Sequence, residues 1–207
     1  MVGSSPLVIG IGGSIRNRSS IDEVDGVDEE VSSTELIERV QTLEHREIYH
    51  DDFLGEIQPF VRELSQSGDK LITNSDALVL TALYGAKDAA DIEFHKLTEY
   101  VGRDRSYANS SDEFEDIGPL RDTVERADGL ILGSPVYFGD RSSLMHSFIN
   151  FAAENDLLEG KVVGTVSVGS KRNGGQETAN VYALFENLNH GALVVGNGPK
   201  TCQYGGA

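Results

Sequence analysis

Cysteine is nearly absent. A single residue, Cys202, among 207 excludes an internal disulfide framework and an iron–sulfur cluster ligated by this chain alone. It lies in a glycine-rich tail with no evident partner base, which marks it as an incidental thiol rather than a nucleophile. Basic residues are scarce as well: 17 Lys and Arg face 34 Asp and Glu, for a formal charge of −17. Such a field repels nucleic acid and anionic membranes. It fits a plain acidic protein or a halophilic one, in which salt screens the self-repulsion. No apolar run approaches the roughly 20 residues of a membrane span. Met1–Pro6 carries neither the basic nor the apolar region of a secretory signal. The five histidines lack H-x-x-x-H and H-E-x-x-H spacing, and the acidic run at 22–30 lacks calcium-loop spacing, so no metal site is expected. The expectation is a cytoplasmic protein with no nucleic-acid, membrane or metal ligand.

What is present is a rhythm. Four short, β-branched-rich runs read as buried strands: Leu7–Ile11, Gly129–Leu132, Val162–Val168 and Ala192–Val195. Asp91–Leu97 alternates polar and apolar residues and reads as an edge strand. Helical patterns lie between them at Asn74–Ala89, opening on an Asn/Ser cap, and at Ile117–Ala127, Ser142–Ala153 and Thr178–Asn189. Strand–helix alternation means βαβ units and a parallel sheet in one α/β domain spanning 1–207. Residues 15–72 break the rhythm, being far longer than a usual βα loop. They read as a partly helical insertion, acidic at Ile21–Ser33 and amphipathic at Thr34–Leu43 and Gly55–Ser67.

Three loops carry chemistry. The first strand runs into Gly10-Ile11-Gly12-Gly13-Ser14-Ile15-Arg16, followed by Ser19 and Ser20. Glycine admits close backbone approach, amides and hydroxyls donate, and arginine adds charge, which is a phosphate-loop pattern. The Walker ending is missing, and Ile15 stands where a dinucleotide fingerprint needs glycine. An empty glycine-rich turn is the plain alternative. Gly133-Ser134-Pro135-Val136-Tyr137-Phe138-Gly139 follows the next buried strand and offers flat apolar faces beside backbone amides, a mixture suited to a heteroaromatic ring. An aromatic turn packed on its own core is the alternative. The third loop is Gly169-Ser170-Lys171-Arg172-Asn173-Gly174-Gly175-Gln176-Glu177. All three leave strands in one direction, so all three can meet at one rim of the sheet, where open α/β sheets bind ligands.

Gly-Ile-Gly-Gly-Ser-Ile-Arg, Ala127-Asp128-Gly129-Leu130-Ile131-Leu132-Gly133-Ser134-Pro135-Val136-Tyr137-Phe138-Gly139 and Arg172-Asn173-Gly174-Gly175-Gln176-Glu177, in that order, resemble the NADPH-dependent FMN reductase family. The resemblance extends over Pro6–Ser14 and Thr73–Gly198. It implies a flavodoxin-like three-layer sandwich with a five-stranded parallel sheet in the order 2-1-3-4-5, and FMN between the first and third strands. It also implies NADPH or NADH as donor, a small-molecule acceptor, and a homodimer or homotetramer. Ser14 and Arg16 would then meet the phosphate, with Asn74 and Ser75, or Ser19 and Ser20, completing that loop. Pro135, Val136, Tyr137, Phe138 and Gly139 would line the isoalloxazine, and Gly169, Arg172, Gly174 and Gly175 its pyrimidine side. Gln176 and Glu177 match the motif but could instead begin a helix. The chemistry would be the flavin's, so no catalytic acid or base is named. The cysteine cluster of iron–sulfur relatives is missing, and so is a last helix after the fifth strand. The insertion or a partner subunit is expected to cover the face that helix would shield, and a sequence that is a fragment of a longer one is the plain alternative.

Overall fold

The computed structural model describes residues 5–14, 32–42, 73–100 and 118–196. Strand β1 (Leu7–Gly12) lies at the centre of the sheet. It pairs in parallel with β2 (Asp91–Lys96) on one side and β3 (Gly129–Tyr137) on the other. β3 pairs in parallel with β5 (Val162–Val168) and antiparallel with the two-residue β4 (Asp140–Arg141). The parallel order is therefore β2-β1-β3-β5, the expected 2-1-3-4 once the small hairpin strand is counted. The expected fifth strand is reduced to one parallel bridge, Leu193 to Val162. It is held by hydrogen bonds from the Val163 amide to the Leu193 carbonyl and from the Leu193 amide to the Lys161 carbonyl, at 2.9 and 2.8 Å.

Helices α1 (Ser33–Thr42) and α2 (Asn74–Ala86) cover one face. On the other face lie α3 (Gly118–Arg126) and α4 (Ser143–Glu154), whose Leu120, Val124, Leu144 and Phe148 pack with Ile9 and Ile11 of β1. Helix α5 (Gln176–Asn189) contributes Ala183 to the same core. Across the sheet, Val79, Leu80 and Leu83 of α2 join Ile92 and Phe94 of β2. At roughly 1.5–3 kcal/mol for each fully buried large apolar side chain, these two cores are the principal stabilising term.

Helix α2 sits unusually close to the sheet because the strands lack side chains beneath it. A Cβ on Gly10 would lie 2.4 Å from a Val79 methyl, and one on Gly133 only 2.1 Å from the other. Gly10 and Gly133, inside the first and third strands, thus serve helix–sheet packing. The helix is capped by Thr73, whose hydroxyl accepts from the Asp76 amide at 3.2 Å. Asn74 and Ser75 are the first helical residues, so the expected Asn/Ser cap is corrected by one position. Threonine caps well, and its own extended backbone, with φ −72° and ψ 151°, places it at the boundary.

Part of the insertion is folded onto the domain. Leu36 and Val40 of α1 are fully buried in the α2-side core. The Ser33 hydroxyl accepts from the Lys96 amide, and the Ser33 amide donates to Glu99, both at 2.9 Å. This covering lies at the β2 edge. At the opposite edge Val162 and Leu193 remain 44% and 54% exposed. The second amphipathic stretch, Gly55–Ser67, lies outside the described residues.

Candidate functional site

Strand register brings the first two loops together. Gly12 stands opposite Gly133, which stands opposite Val166. Beyond the last pair, the Gly13 amide donates to the Gly133 carbonyl at 2.8 Å. Ser142, the cap of α4, locks this junction from below. Its hydroxyl donates to the Gly13 carbonyl at 2.6 Å and accepts from the Met145 amide at 3.1 Å. Its amide donates to the Ser134 hydroxyl at 2.8 Å, which in turn donates to the Pro135 carbonyl at 2.9 Å. Ser142 is wholly buried. The helical pattern at Ser142–Ala153 includes Ser142 as a helical residue, whereas the structure makes it the cap, a role signalled by a serine before an apolar helical run.

Ser14 is buried at this rim. The first turn of α2 arrives beside it, since a Cβ on Gly12 would strike the Asp76 carboxylate at 2.2 Å and one on Gly133 would touch the Ser75 carbonyl at 3.4 Å. Ser75 is buried and its hydroxyl bonds that of Thr73 at 3.2 Å, whereas Asn74 is exposed. The positive end of the α2 dipole therefore faces the Gly12–Ser14 turn, and the buried Asp76 carboxylate already stands in it. Arg16, Ser19 and Ser20 lie outside the described residues.

The second loop is a β-hairpin, not the coil expected after Leu132. β3 continues to Tyr137 because β5 pairs it through Pro135 and β4 pairs Val136 and Tyr137. Its tip, Phe138-Gly139, has φ of 54° and 85°. Two positive φ values define the tight hairpin turns, which glycine adopts freely and phenylalanine at a cost of about 1–2 kcal/mol. Strain of this kind concentrates at functional turns. Pro135 and Val136 are half-buried, Tyr137 is 43% exposed and Phe138 is fully exposed.

The third loop closes on this tip. Gly175 caps α5 with φ 99°, and a Cβ there would lie 2.6 Å from the Gly139 Cα. Gln176 begins the helix and folds back on its own loop. Its side chain accepts from the Gly174 amide at 2.7 Å and donates to the Lys171 carbonyl at 2.8 Å. Gln176 and Glu177 are thus first-turn residues of α5, which starts two residues before the expected Thr178. Gly169 is half-buried against Gln176, while Arg172 and Gly174 are exposed. All three loops meet at one rim, and the described members of the expected set stand along it.

Two other clusters of ionisable groups stand out. Arg141 and Glu186, unremarked in the sequence, form a partly buried ion pair. At the β2 edge, His95 bonds the Tyr100 hydroxyl at 2.6 Å and Glu93 at 3.4 Å. Burial lowers the His95 pKa against the raising effect of Glu93, and burial raises that of Tyr100. Among the described residues no group of three or more His, Cys, Asp and Glu is placed to hold a metal ion, and no helix is long and apolar enough to cross a membrane.

The family model described as NADPH-dependent FMN reductase matches residues 72–201. An iron–sulfur flavoprotein of Methanocaldococcus jannaschii is 39% identical over 97 residues, 44% of this chain and 49% of that protein. An NAD(P)H dehydrogenase (quinone) of Archaeoglobus fulgidus is 30% identical over 105 residues, 49% of this chain and 55% of that protein. The chain spans about half the length of the curated relatives it matches. Among solved structures, the apo form of an NADH:FMN oxidoreductase superposes with a TM-score of 0.54 at 14% identity, covering 93% of this chain and 73% of that one. At that identity the likeness speaks for the fold.

Proposed function

The chain belongs to the NADPH-dependent FMN reductase family, and from that premise we propose that it binds FMN at the three-loop rim and acts as an NAD(P)H-dependent flavin oxidoreductase. The observation that carries the reading is the meeting of the loops: Gly13 bonded to Gly133, and Gly175 packed on Gly139. The residues suit the group. The buried Ser14 and the glycine backbone of the Gly12–Ser14 turn match a phosphate, which would be seated away from the Asp76 carboxylate in the first turn of α2. The exposed Tyr137 and Phe138 match a flat ring, and a Cβ on Gly139 would meet nothing within 4 Å, leaving open space beside them.

The chemistry that bound FMN supplies is hydride acceptance from NADPH or NADH and electron delivery to a quinone, free flavin or other small acceptor. The chain's part is placement and electrostatics. Ser14, with Arg16 and Asn74, Ser75 or Ser19, holds the phosphate. Pro135, Val136, Tyr137, Phe138 and Gly139 line the ring and exclude water from one side. Gly169, Gly174 and Gly175 admit its pyrimidine edge, where Arg172 stabilises negative charge. Exposed Val181, Tyr182, Phe185 and Leu188 on α5 support the expected homodimer or homotetramer, which light scattering after gel filtration would check.

The net charge of −17 favours a second reading, an electron carrier docking on a basic partner without nicotinamide turnover. An anaerobic absorbance spectrum before and after NADPH, followed by NADPH oxidation with added quinone, decides. Bleaching and turnover are expected. A flavin reducible only by dithionite supports the carrier, and a colourless protein that takes up no FMN overturns both readings.

A further inference from the structure

The hairpin that carries Tyr137 and Phe138 is too small to hold itself. β4 has two residues, and its ladder consists of Val136 opposite Arg141 and Tyr137 opposite Asp140. Two-stranded ribbons of this size are marginal in water, and this one also carries the positive φ of Phe138. Something else must fix its position.

Arg141 is placed to do so. Its side chain is 7% exposed, although it stands two residues from the exposed tip. One end of the guanidinium pairs with Glu186 of α5, whose side chain is 19% exposed. The same nitrogen bonds the Nδ1 of His146 on α4. The other end nitrogen bonds Asp140 at 3.1 Å. Nε is buried and has no hydrogen-bond partner among the described residues. Arg141 also lines a cavity of about 10 Å³ with Ser134, Thr165, Ser167 and Asn180. That volume is near the lower limit for one water.

Burying a guanidinium is costly unless it is paired in good geometry. This one links the hairpin to α4 and α5, and α5 begins at the third loop. Two of the three loops are therefore joined twice, by Gly139 against Gly175 at the tip and by Arg141 against Glu186 at the base.

We propose that Arg141 is a positioning residue for the flavin site: clamped by Glu186, it sets the Val136–Arg141 hairpin, and with it Tyr137 and Phe138, against the third loop before any ligand arrives. The proposal rests on the FMN reading above and names a part of the site outside the motif that suggested it. Pre-ordering a loop in its bound geometry improves affinity by removing the ordering cost.

The test uses the full chain and the variants Glu186→Gln, Arg141→Met and Arg141→Lys. Hydrogen–deuterium exchange is followed without flavin at residues 136–141 and, as reference, in β1. FMN affinity is measured by fluorescence quenching on the apoprotein. Glu186→Gln and Arg141→Met should speed hairpin exchange about tenfold while β1 stays protected. They should also weaken FMN about tenfold, with Arg141→Lys restoring most of the affinity because it keeps a cation facing Glu186. Unchanged hairpin exchange and unchanged FMN affinity overturn the proposal. So does exchange that rises equally in β1, which marks a general loss of folding. If the parent protein takes up no FMN, the reading of the site fails and the proposed role with it. Faster hairpin exchange in the variants would then show the clamp alone.

Discussion

Replacing Gly133 with alanine tests the seating of α2 directly. Gly133 lies inside β3 with no positive φ, so backbone preference alone makes alanine favourable, by about 0.4–1 kcal/mol through the unfolded chain. Sterics oppose this. The new methyl would lie 2.1 Å from Val79 Cγ2 and 3.4 Å from both the Ser75 carbonyl and Val166 Cγ2. Val79 is β-branched and helical, so one χ1 rotamer dominates and its methyl has nowhere to turn. The helix itself must move. Overpacking of this kind costs about 1–3 kcal/mol and outweighs the entropic gain. Val79→Ala alone should cost about 2 kcal/mol in lost burial and cavity. In that background the Gly133→Ala methyl enters vacated space and keeps its entropic gain, so the double variant should be about 0.4–1 kcal/mol more stable than Val79→Ala. The cycle therefore predicts a favourable coupling of about 1–3 kcal/mol. Urea titration followed by far-UV circular dichroism, with unchanged m-values, supplies the four stabilities. Additivity within about 0.5 kcal/mol would refute the close-approach argument. Because the first turn of α2 faces the Gly12–Ser14 turn, Gly133→Ala should also weaken FMN binding, and Val79→Ala should recover part of that loss.

Ser142→Ala removes a wholly buried hydroxyl that joins the Gly13 carbonyl to the Met145 amide; stranding both groups should cost about 2–4 kcal/mol of stability, and a midpoint within error of the parent would contradict the network. Arg172→Ala should lower the potential of bound FMN by withdrawing positive charge from the reduced ring, which spectroelectrochemistry would read; an unmoved potential would deny Arg172 that role. Burial lowers the His95 pKa below 6.5 despite Glu93 and Glu99, with Arg126 lowering it further. The unfolded chain therefore takes up the proton first, so the neutral ring contributes stability fully above pH 6.5, and this is lost as pH falls through the folded-state value. His95→Gln should flatten the fall in urea midpoint between pH 7 and 5, and parallel curves for parent and variant would count against it.

Much of this protein is local and therefore legible in its sequence. Leu7–Ile11, Val162–Val168 and the helical patterns announce themselves because burial period and glycine boundaries are written within a few residues of each other. The convergence of three loops also follows from local facts, since parallel strands all end on one side. The family match begins at residue 72 and so omits β1, yet register alone returns the Gly12–Ser14 turn to the rim.

Tertiary structure decided the rest. β3 runs on to Tyr137 only because β4 and β5 offer partners, which no window of sequence contains. Thr73 rather than Asn74 caps α2, a choice between two competent neighbours made by where the helix must start to seat on Gly10 and Gly133. The Ala192–Val195 run is apolar enough for a strand but forms one bridge among the described residues, although β5 offers it a continuous edge. Arg141 and Glu186 are 45 residues apart, each unremarkable in its own segment. Their pairing exists because the fold lays α5 along the hairpin and buries most of the Arg141 side chain against a partly exposed Glu186, and a long-range pairing of that kind has no local signature.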